Sequence, residues 1–252
     1  MTSTDIVLFD IATKLDTPIS PHGWKVRMAM NYKGVQFRTV FVSGINIEKT
    51  SKSLGVLPTG VKPNGAPHYT LPAILDRTNP TSPVAFSDSV PILNYLEKTY
   101  PTPGRVLFPA GRETRGLYQP LILKIIYFMP YLAAGAHLAA KVDEDRDEFR
   151  GRLERLFGKP VEEIEKQGAE RDAAYDELEG VFEQLGNALE GEDSFLLTGE
   201  RMIAADFAVA GCIMFIKCLS PEDVYAKLRS WHGGRWARFF DAFEPYMALN
   251  NP

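Results

Sequence analysis

The chain has 252 residues, of which 45% are hydrophobic and 24% are charged, so it is long enough for one large domain or two modest ones. Its 28 basic and 32 acidic residues give a net charge of -4, which is not the basic footprint expected of a nucleic-acid-binding protein. With two cysteines, no secretory leader pattern and no charge-free apolar run of about 18 residues, we expect a cytoplasmic protein without a disulfide scaffold or a membrane span.

The first part of the chain predicts a β-α-β unit. Residues 5–12 (DIVLFDIA) form a short apolar run that is typical of a buried strand. After a loop with two prolines, residues 23–34 predict a helix that ends at Gly34, and residues 37–42 alternate like a second strand. This order begins a parallel sheet with a right-handed crossover.

A β-β-α unit follows a long connection. Residues 43–70 are polar and interrupted by prolines and glycines, and a connection of this length is usually functional or partly disordered. Residues 71–76 and 84–87 then predict two short strands. The next helix starts close to Asp88, because Pro91 must lie in its first turn.

The remainder predicts helices. Residues 101–111 indicate an extended linker, and residues 113–141 are apolar nearly all round, which predicts burial on several sides. Residues 143–171 are highly charged and predict a solvated helix. Further helices are expected around residues 175–189, 204–219 and 236–247.

Four short motifs occur in the order found in the soluble glutathione transferases, and they resemble that family. They are SPHGWKVRMAMNYKG (20–34), LPAIL (71–75), SDS (87–89) and GERMIAADFAVAG (199–211). The run PTGVKPNGAPHYTLPAI (58–74) looks like the fungal etherase-like class, which is similar to bacterial lignin β-aryl-etherases.

The resemblance implies two domains. Residues 1–103 would form an α/β thioredoxin-like domain that binds glutathione, and residues 104–252 an all-α domain that binds the second substrate. Together they would make the glutathione transferase fold. The family is usually dimeric, and residues 113–141 are apolar on more faces than one core needs, so we expect a homodimer.

Ser20 is the candidate catalytic residue. A free thiol has a pKa of about 8.5, and a hydroxyl directed at the sulfur near the positive end of a helix lowers that pKa. Ser20 lies just before the helix expected near Gly23. Two alternatives remain: Ser20 only caps the helix, or backbone N–H groups near His22 and Gly23 activate the thiol.

The resemblance also places the parts of glutathione. Pro72 would be cis, and the N–H and C=O of Leu71 would pair with the cysteinyl part. Asp88 and Ser89, at a predicted helix N-terminus, would hold the γ-glutamyl end. The glycine carboxylate needs a cation or a donor, for which the candidates are Lys52, Lys62 and His68.

Aromatic residues would line the second-substrate pocket. The candidates are Trp24, Tyr118, Tyr127 and Phe128, and a place in the domain core is the alternative for the last three. The N-terminal half has no cysteine, which disfavours thiol–disulfide chemistry, and no histidine spacing predicts a metal site.

One position departs from the family pattern. Ile203 stands where the family has the Ser or Thr of a helix capping box, although Asp206 is retained. Loss of such a cap costs about 0.5–2 kcal/mol, so we expect a slightly weaker helix.

The leading interpretation is a Ser-type glutathione transferase. Glutathione thiolate would attack an aromatic electrophile such as a β-aryl ether, a halogenated aromatic or an isothiocyanate. The alternatives are a non-catalytic binding protein (a ligandin) for aromatic plant compounds and a glutathione-dependent isomerase of the zeta type. In each case the expected partners are glutathione and hydrophobic aromatic small molecules.

Overall fold

The computed structural model describes residues 4–109, 114–187, 199 and 201–251, with the backbone alone for 114–118. The strands in this part are β1 (Ile6–Ile11), β2 (Arg38–Val42), β3 (Gly60–Val61), β4 (Pro67–His68), β5 (Ala73–Asp76) and β6 (Val84–Ser87). The helices are α1 (Pro21–Lys33), α2 (Ile47–Ser53), α3 (Ser89–Thr99), α4 (Thr114–Phe128), α5 (Pro130–Ala139), α6 (Asp143–Phe157), α7 (Gly168–Gly186), α8 (Ala204–Leu219) and α9 (Ala226–Asp241).

The N-terminal domain is built on a mixed four-stranded sheet with the strand order β2-β1-β5-β6. Strand β1 pairs with β2 in parallel and with β5 antiparallel, and β6 is antiparallel to β5. The helices after α3 form the second domain. The chain therefore has a thioredoxin-like domain followed by an all-helical domain, and the predicted fold class is confirmed.

Several boundaries differ from the prediction. The connection 43–70 holds α2 and the small hairpin β3-β4, so it is partly ordered by local structure. The apolar stretch forms two helices, α4 and α5, with a bend of 68° between them. The charged stretch 143–171 is interrupted after Phe157, because Gly158 adopts the left-handed conformation that ends α6.

The start of α1 is fixed by its first residues and by a buried ion pair. Ser20 caps the helix and Pro21 takes the first helical position, so α1 begins two residues before the predicted Gly23. Beneath it, Arg27 Nη2 donates to Asp10 Oδ2 at 2.8 Å, and both side chains are fully buried. Gly23 is required here, because a Cβ at that position would overlap the Asp10 carboxylate.

The two domains meet where α1 crosses α8. Lys25, Trp24 and Met28 of α1 are almost fully buried, as are all but two residues of α8. At the closest approach, a Cβ on Gly211 would overlap the backbone oxygen of Pro21. The N-terminus of α1 is therefore positioned directly by the helical domain.

Residues 244–251, here called the returning segment, lie back on the N-terminal domain. Phe37 and Asn251 exchange two backbone hydrogen bonds of 2.7 and 2.9 Å. The guanidinium of Arg27 donates to the Leu249 carbonyl at 2.7 Å, and the amide of Asn31 donates to two further carbonyls of the segment. The segment thus extends the β2 edge of the first domain.

Helix α8 keeps one of the two hydrogen bonds of a capping box. The carboxylate of Asp206 accepts a hydrogen bond from the Ile203 amide at 2.8 Å. Ile203 has no side-chain acceptor to return the interaction, as the sequence predicts, but its side chain is 3% exposed and packs in the core.

Candidate active site

A cleft of about 1080 Å³ opens between the N-terminal domain and helix α4. It is lined by residues of α1, of the β3-β4 hairpin, of the turn before β5, and of α3, α4 and α6. The predicted site residues that line it are His68, Leu71, Pro72, Asp88, Ser89 and Tyr127. The structure thus brings together residues that lie 59 positions apart in the sequence.

The turn before β5 presents an unpaired piece of backbone to the cleft. The Leu71–Pro72 peptide is cis, as predicted. The Pro72 carbonyl accepts from the Asp88 amide at 3.1 Å, which ties this turn to the start of α3. Within the described residues, neither the amide nor the carbonyl of Leu71 has a hydrogen-bond partner. Leu71 can therefore pair with a bound peptide as an edge strand would.

Asp88 and Ser89 form the N-terminus of α3. The Asp88 carboxylate accepts from the Val90 amide at 3.2 Å, which makes it the N-cap, and Ser89 is 3% exposed. Asp88 has φ 73° and ψ 133°, a conformation that costs a residue with a side chain about 1–3 kcal/mol. The strained backbone holds the exposed Asp88 carboxylate beside the N-terminus of α3 at the cleft. A ligand group that carries both an ammonium and a carboxylate suits this site, because the ammonium can pair with Asp88 and the carboxylate with the helix N-terminus.

Ser20 lies at the N-terminus of α1 but does not line the cleft. Its Oγ accepts a hydrogen bond from the Gly23 amide at 3.0 Å. This bond occupies the Gly23 N–H, and Pro21 has none, so the first turn keeps only the His22 N–H as a further backbone donor. The hydroxyl proton of Ser20 is not used by the cap and can still be donated.

Two residues beside Ser20 contribute to the electrostatics of the cleft, and sequence reasoning did not assign them to it. Burial lowers the pKa of His22 to about 4, helped by the charge of Lys25 and opposed by Asp88, so its imidazole is neutral near pH 7. Lys25 is 2% exposed and lines the cleft. Both residues lie in the same motif as Ser20, so that motif could have been used to predict them as site residues.

The three candidates for the glycine carboxylate are not equivalent. His68 lines the cleft, but Lys52 does not and is paired with Glu48 at 2.7 Å. Lys62 lies 3.7 Å from Glu48 and lines a second pocket of about 280 Å³, here called the side pocket. The side pocket lies between the end of β1, the start of α2, the β3-β4 hairpin and α6. His68 is therefore the best placed of the three.

The predicted aromatic wall is divided. Tyr127 is 61% exposed and lines the cleft, whereas Phe128 is 8% exposed and packs against Tyr131 with a ring separation of 5.4 Å. Trp24 was wrongly placed: it is 1% exposed and its Nε1 donates to the Pro18 carbonyl at 2.5 Å. Helix α1 is buried on nearly all sides, so an apolar residue there faces the core. The side chain of Tyr118 lies outside the described residues.

Other cleft residues had no signal in the sequence. They are Thr59, Thr70, Asn94, Gln119 and Arg152. The Oε1 atom of Gln119 is buried without a hydrogen-bond partner in the described part of the chain, so it is available to a ligand donor. Arg152 belongs to the charged stretch that predicted a solvated helix, and only the fold brings it to the cleft.

Two further properties bear on the class of protein. No group of three or more His, Cys, Asp or Glu side chains within the described ranges is arranged to hold a metal ion. No single helix among those ranges has the length and hydropathy of a membrane span; residues 119–128 and 130–139 reach these limits only together, across the bend.

The sequence matches two domain families. Residues 15–104 match the glutathione S-transferase N-terminal domain and residues 122–246 match the glutathione S-transferase C-terminal domain. A relative from Aspergillus flavus, the glutathione S-transferase-like protein ustS, is 32% identical in an alignment 231 residues long, which covers 82% of this chain and 79% of that protein.

The fold is similar to fungal crystal structures. Glutathione transferase GSTFuA3 from Phanerochaete chrysosporium has a TM-score of 0.86 and 28% identity, with 96% of this chain and 97% of that chain covered. The glutathione S-transferase CsGST63524 of Ceriporiopsis subvermispora, solved in complex with glutathione, has a TM-score of 0.85 and 28% identity, covering 98% of this chain and 99% of that chain.

A bacterial enzyme shares the fold more distantly. The β-etherase LigF from a Sphingobium species has a TM-score of 0.57 at 16% identity, with 98% and 97% of the two chains covered, which shows the fold alone. The two domain matches and the Aspergillus relative, unlike the shared fold alone, establish the family of this chain. This chain belongs to the glutathione S-transferase family.

Proposed function

We propose that the cleft binds glutathione and that the protein transfers its thiolate to aromatic electrophiles. The observation that carries this proposal is the meeting, in one cleft, of the unpaired Leu71 backbone, the Asp88–Ser89 helix N-terminus and the first turn of α1. These three features match the peptide, charged and thiol parts of glutathione in that order. The glutathione complex of the Ceriporiopsis relative supports the same ligand.

In this arrangement the γ-glutamyl ammonium pairs with the Asp88 carboxylate. The γ-glutamyl carboxylate accepts from the hydroxyl and the amide of Ser89 at the start of α3, where the helix dipole favours an anion. The cysteinyl N–H and C=O pair with Leu71. The glycine carboxylate then extends toward His68, which lies at the far side of the same cleft.

The thiol is activated at the start of α1. We assign its stabilisation to the Ser20 hydroxyl, which does not line the cleft itself but lies two residues before the cleft-lining His22 and keeps a donor proton while its oxygen caps Gly23. The charge of Lys25 and the positive end of α1 favour the thiolate further. Neutral His22 adds no charge, and its lowered pKa makes it a poor proton acceptor near pH 7. The thiolate then attacks an electrophilic carbon and the leaving group departs, as in cleavage of a β-aryl ether.

A direct experiment separates transfer from binding. Calorimetry with glutathione tests the ligand, and turnover of a chlorinated nitrobenzene and of a β-aryl ether tests the reaction. Binding of glutathione together with conjugated products supports a transferase. Aromatic binding without turnover would instead make the chain a ligandin, and absence of glutathione binding would refute the proposal.

We also propose a cytoplasmic homodimer whose two domains divide at residues 103 and 104. Much of the apolar surface of α4 packs within the subunit, but Leu123, which does not line the cleft, is 37% exposed and leaves apolar area for a partner. Light scattering at micromolar concentration should give twice the mass of the chain; the monomer mass would contradict the proposal.

A further inference from the structure

The side pocket contains a buried lysine without an acidic partner. Lys141 is 8% exposed, and its Nζ lies 4.5 Å from the centre of the Phe149 ring. In the described ranges, no carboxylate oxygen lies within 4 Å of this ammonium. The nearby carboxylate of Asp145 accepts instead from the amides of Gly44 and Ile45 at 2.6 and 3.0 Å.

A second cation faces the same ring. Arg152 lies with its Cζ 5.1 Å from the centre of the Phe149 ring, and it too has no ion pair within the described ranges. Its side chain is exposed, and it lines both the side pocket and the cleft. Two like charges around one ring repel each other, so the arrangement favours a bound anion.

The electrostatics agree with this geometry. Burial and the charge of Arg152 lower the pKa of Lys141 to about 8, with Asp145 acting in the opposite direction. The ammonium is therefore charged near pH 7 but incompletely compensated. An anion in contact with it would restore the pKa, and that gain is part of the binding free energy.

The walls of the side pocket are partly apolar and partly charged. The apolar part consists of Ile11, Ile45, Ile47 and Phe149, and the rest of the lining carries both the cations and the carboxylates of Glu48, Asp145 and Glu148. The volume of about 280 Å³ has room for a single-ring molecule. A ligand that combines a flat apolar body with one negative group fits such a lining. Because His68 and Arg152 line both cavities, a molecule held here reaches the cleft in which glutathione is proposed to bind.

We propose that the side pocket binds the carboxylate of an aromatic acid that is the second substrate. Lys141 holds the carboxylate inside the pocket and Arg152 holds it at the mouth, while the ring lies along Phe149 toward the cleft. The inference rests on the proposed function in one respect, since the acid would be the molecule that glutathione attacks. Binding of the acid itself does not require glutathione.

The test compares cinnamic acid with its methyl ester, which keeps the ring and lacks the charge. Calorimetry on the full chain near pH 7 should show the acid bound at least about ten-fold more tightly. Lys141→Met and Arg152→Gln should each remove about ten-fold or more of the acid affinity, because a charge-assisted bond is lost, and leave ester affinity nearly unchanged.

A matched control is available in the same pocket. Lys62→Gln removes a cation that is 43% exposed and lies 3.7 Å from Glu48, so it should change acid affinity by less than about two-fold. Thermal unfolding of each variant confirms that the fold is kept. Saturating glutathione should leave acid affinity within about two-fold, whereas competition between them would overturn the second-substrate assignment.

The pH dependence gives an independent readout. The ionisable groups that surround Lys141 in the pocket are Glu48, Lys62, His68, Asp145, Glu148 and Arg152, with Tyr69 beside them. His137 of α5, which ends just before Lys141, has a pKa held well below its usual range, chiefly by burial. Acid affinity should fall above about pH 8 as Lys141 loses its proton, and this fall should disappear in Lys141→Met.

Clear outcomes would overturn the inference. They are equal affinities for acid and ester in the unmodified chain, or an acid preference that survives both substitutions. If Lys141→Met and Arg152→Gln weaken the binding of glutathione and leave the binding of the acid unchanged, the pocket holds the glycine carboxylate of glutathione instead. Because the acid is titrated without glutathione, a chain that binds the acid but not glutathione would refute the proposed function and leave this inference standing.

Discussion

Removal of the Ser20 hydroxyl is the most informative change at the proposed active site. The oxygen caps α1 through the 3.0 Å bond from the Gly23 amide, and the proton is assigned to the thiolate of glutathione. The two roles have different magnitudes. Loss of a helix cap costs about 0.5–2 kcal/mol of stability, whereas loss of a bond to a charged group costs about 1.5–3 kcal/mol, or roughly 10- to 150-fold in rate.

Three substitutions separate these roles. Ser20→Ala removes both the cap and the donor, and Ser20→Thr keeps both. Ser20→Gly removes the donor while costing the cap only a few tenths of a kcal/mol. If the hydroxyl stabilises the thiolate, the Ala and Gly variants should lose turnover alike near neutral pH, and the Thr variant should retain most of it.

The assay is the pH dependence of turnover, together with the ultraviolet absorbance of bound thiolate. A lost hydrogen bond to the anion raises the pKa of the bound thiol, so activity should move toward higher pH while glutathione affinity changes little. An unchanged pH–rate profile in Ser20→Ala would refute the assignment and favour the His22 amide. If the Gly variant keeps its activity and the activities of the variants follow their thermal stabilities, Ser20 acts only as a helix cap.

Three further results are expected. Asp88→Asn keeps a side-chain oxygen for the Val90 cap but removes the charge, so calorimetry should show glutathione bound about 10- to 150-fold more weakly; an unchanged affinity would remove Asp88 from the site. Gly211→Ala should destabilise the protein by about 1–3 kcal/mol in denaturant unfolding, because its Cβ would overlap the backbone of Pro21. Gly180→Ala, in a helix with open space around it, should instead stabilise by about 0.4–1 kcal/mol, and a loss equal to that of Gly211→Ala would show that steric overlap is not the cause.

The elements that follow from local sequence were predicted well. Strands β1 and β6 and helix α8 follow from apolar runs and flanking turn residues, and α3 begins where Pro91 requires it. Leu71, Pro72, Asp88 and Ser89, which the motifs proposed as binding residues, all line the cleft, and their role there stays a prediction. The position of Asp88 could be predicted in this way, because its motif and Pro91 fix where α3 starts.

The errors arise from tertiary structure. Trp24 lies on a helix that is buried on nearly all sides, so its position in the sequence does not indicate which side faces a ligand. Lys141 lies in the connection between α5 and α6 and Arg152 lies in α6, and the two meet at the Phe149 ring only in the folded chain. The sequence pattern of a charged helix is the same whether its cations face water or a cavity.

The returning segment has a consequence for the order in which the chain folds during synthesis. Domains generally fold from the N-terminus as they emerge, yet the bond between Arg27 and Leu249 spans 222 residues. A nascent N-terminal domain therefore has its β2 edge open and its buried arginine short of one partner until almost the whole chain has left the ribosome. Arrested chains that end before residue 244 should be more sensitive to protease near Phe37 than released chains, which places the last stage of the first domain's folding after the second domain has been made.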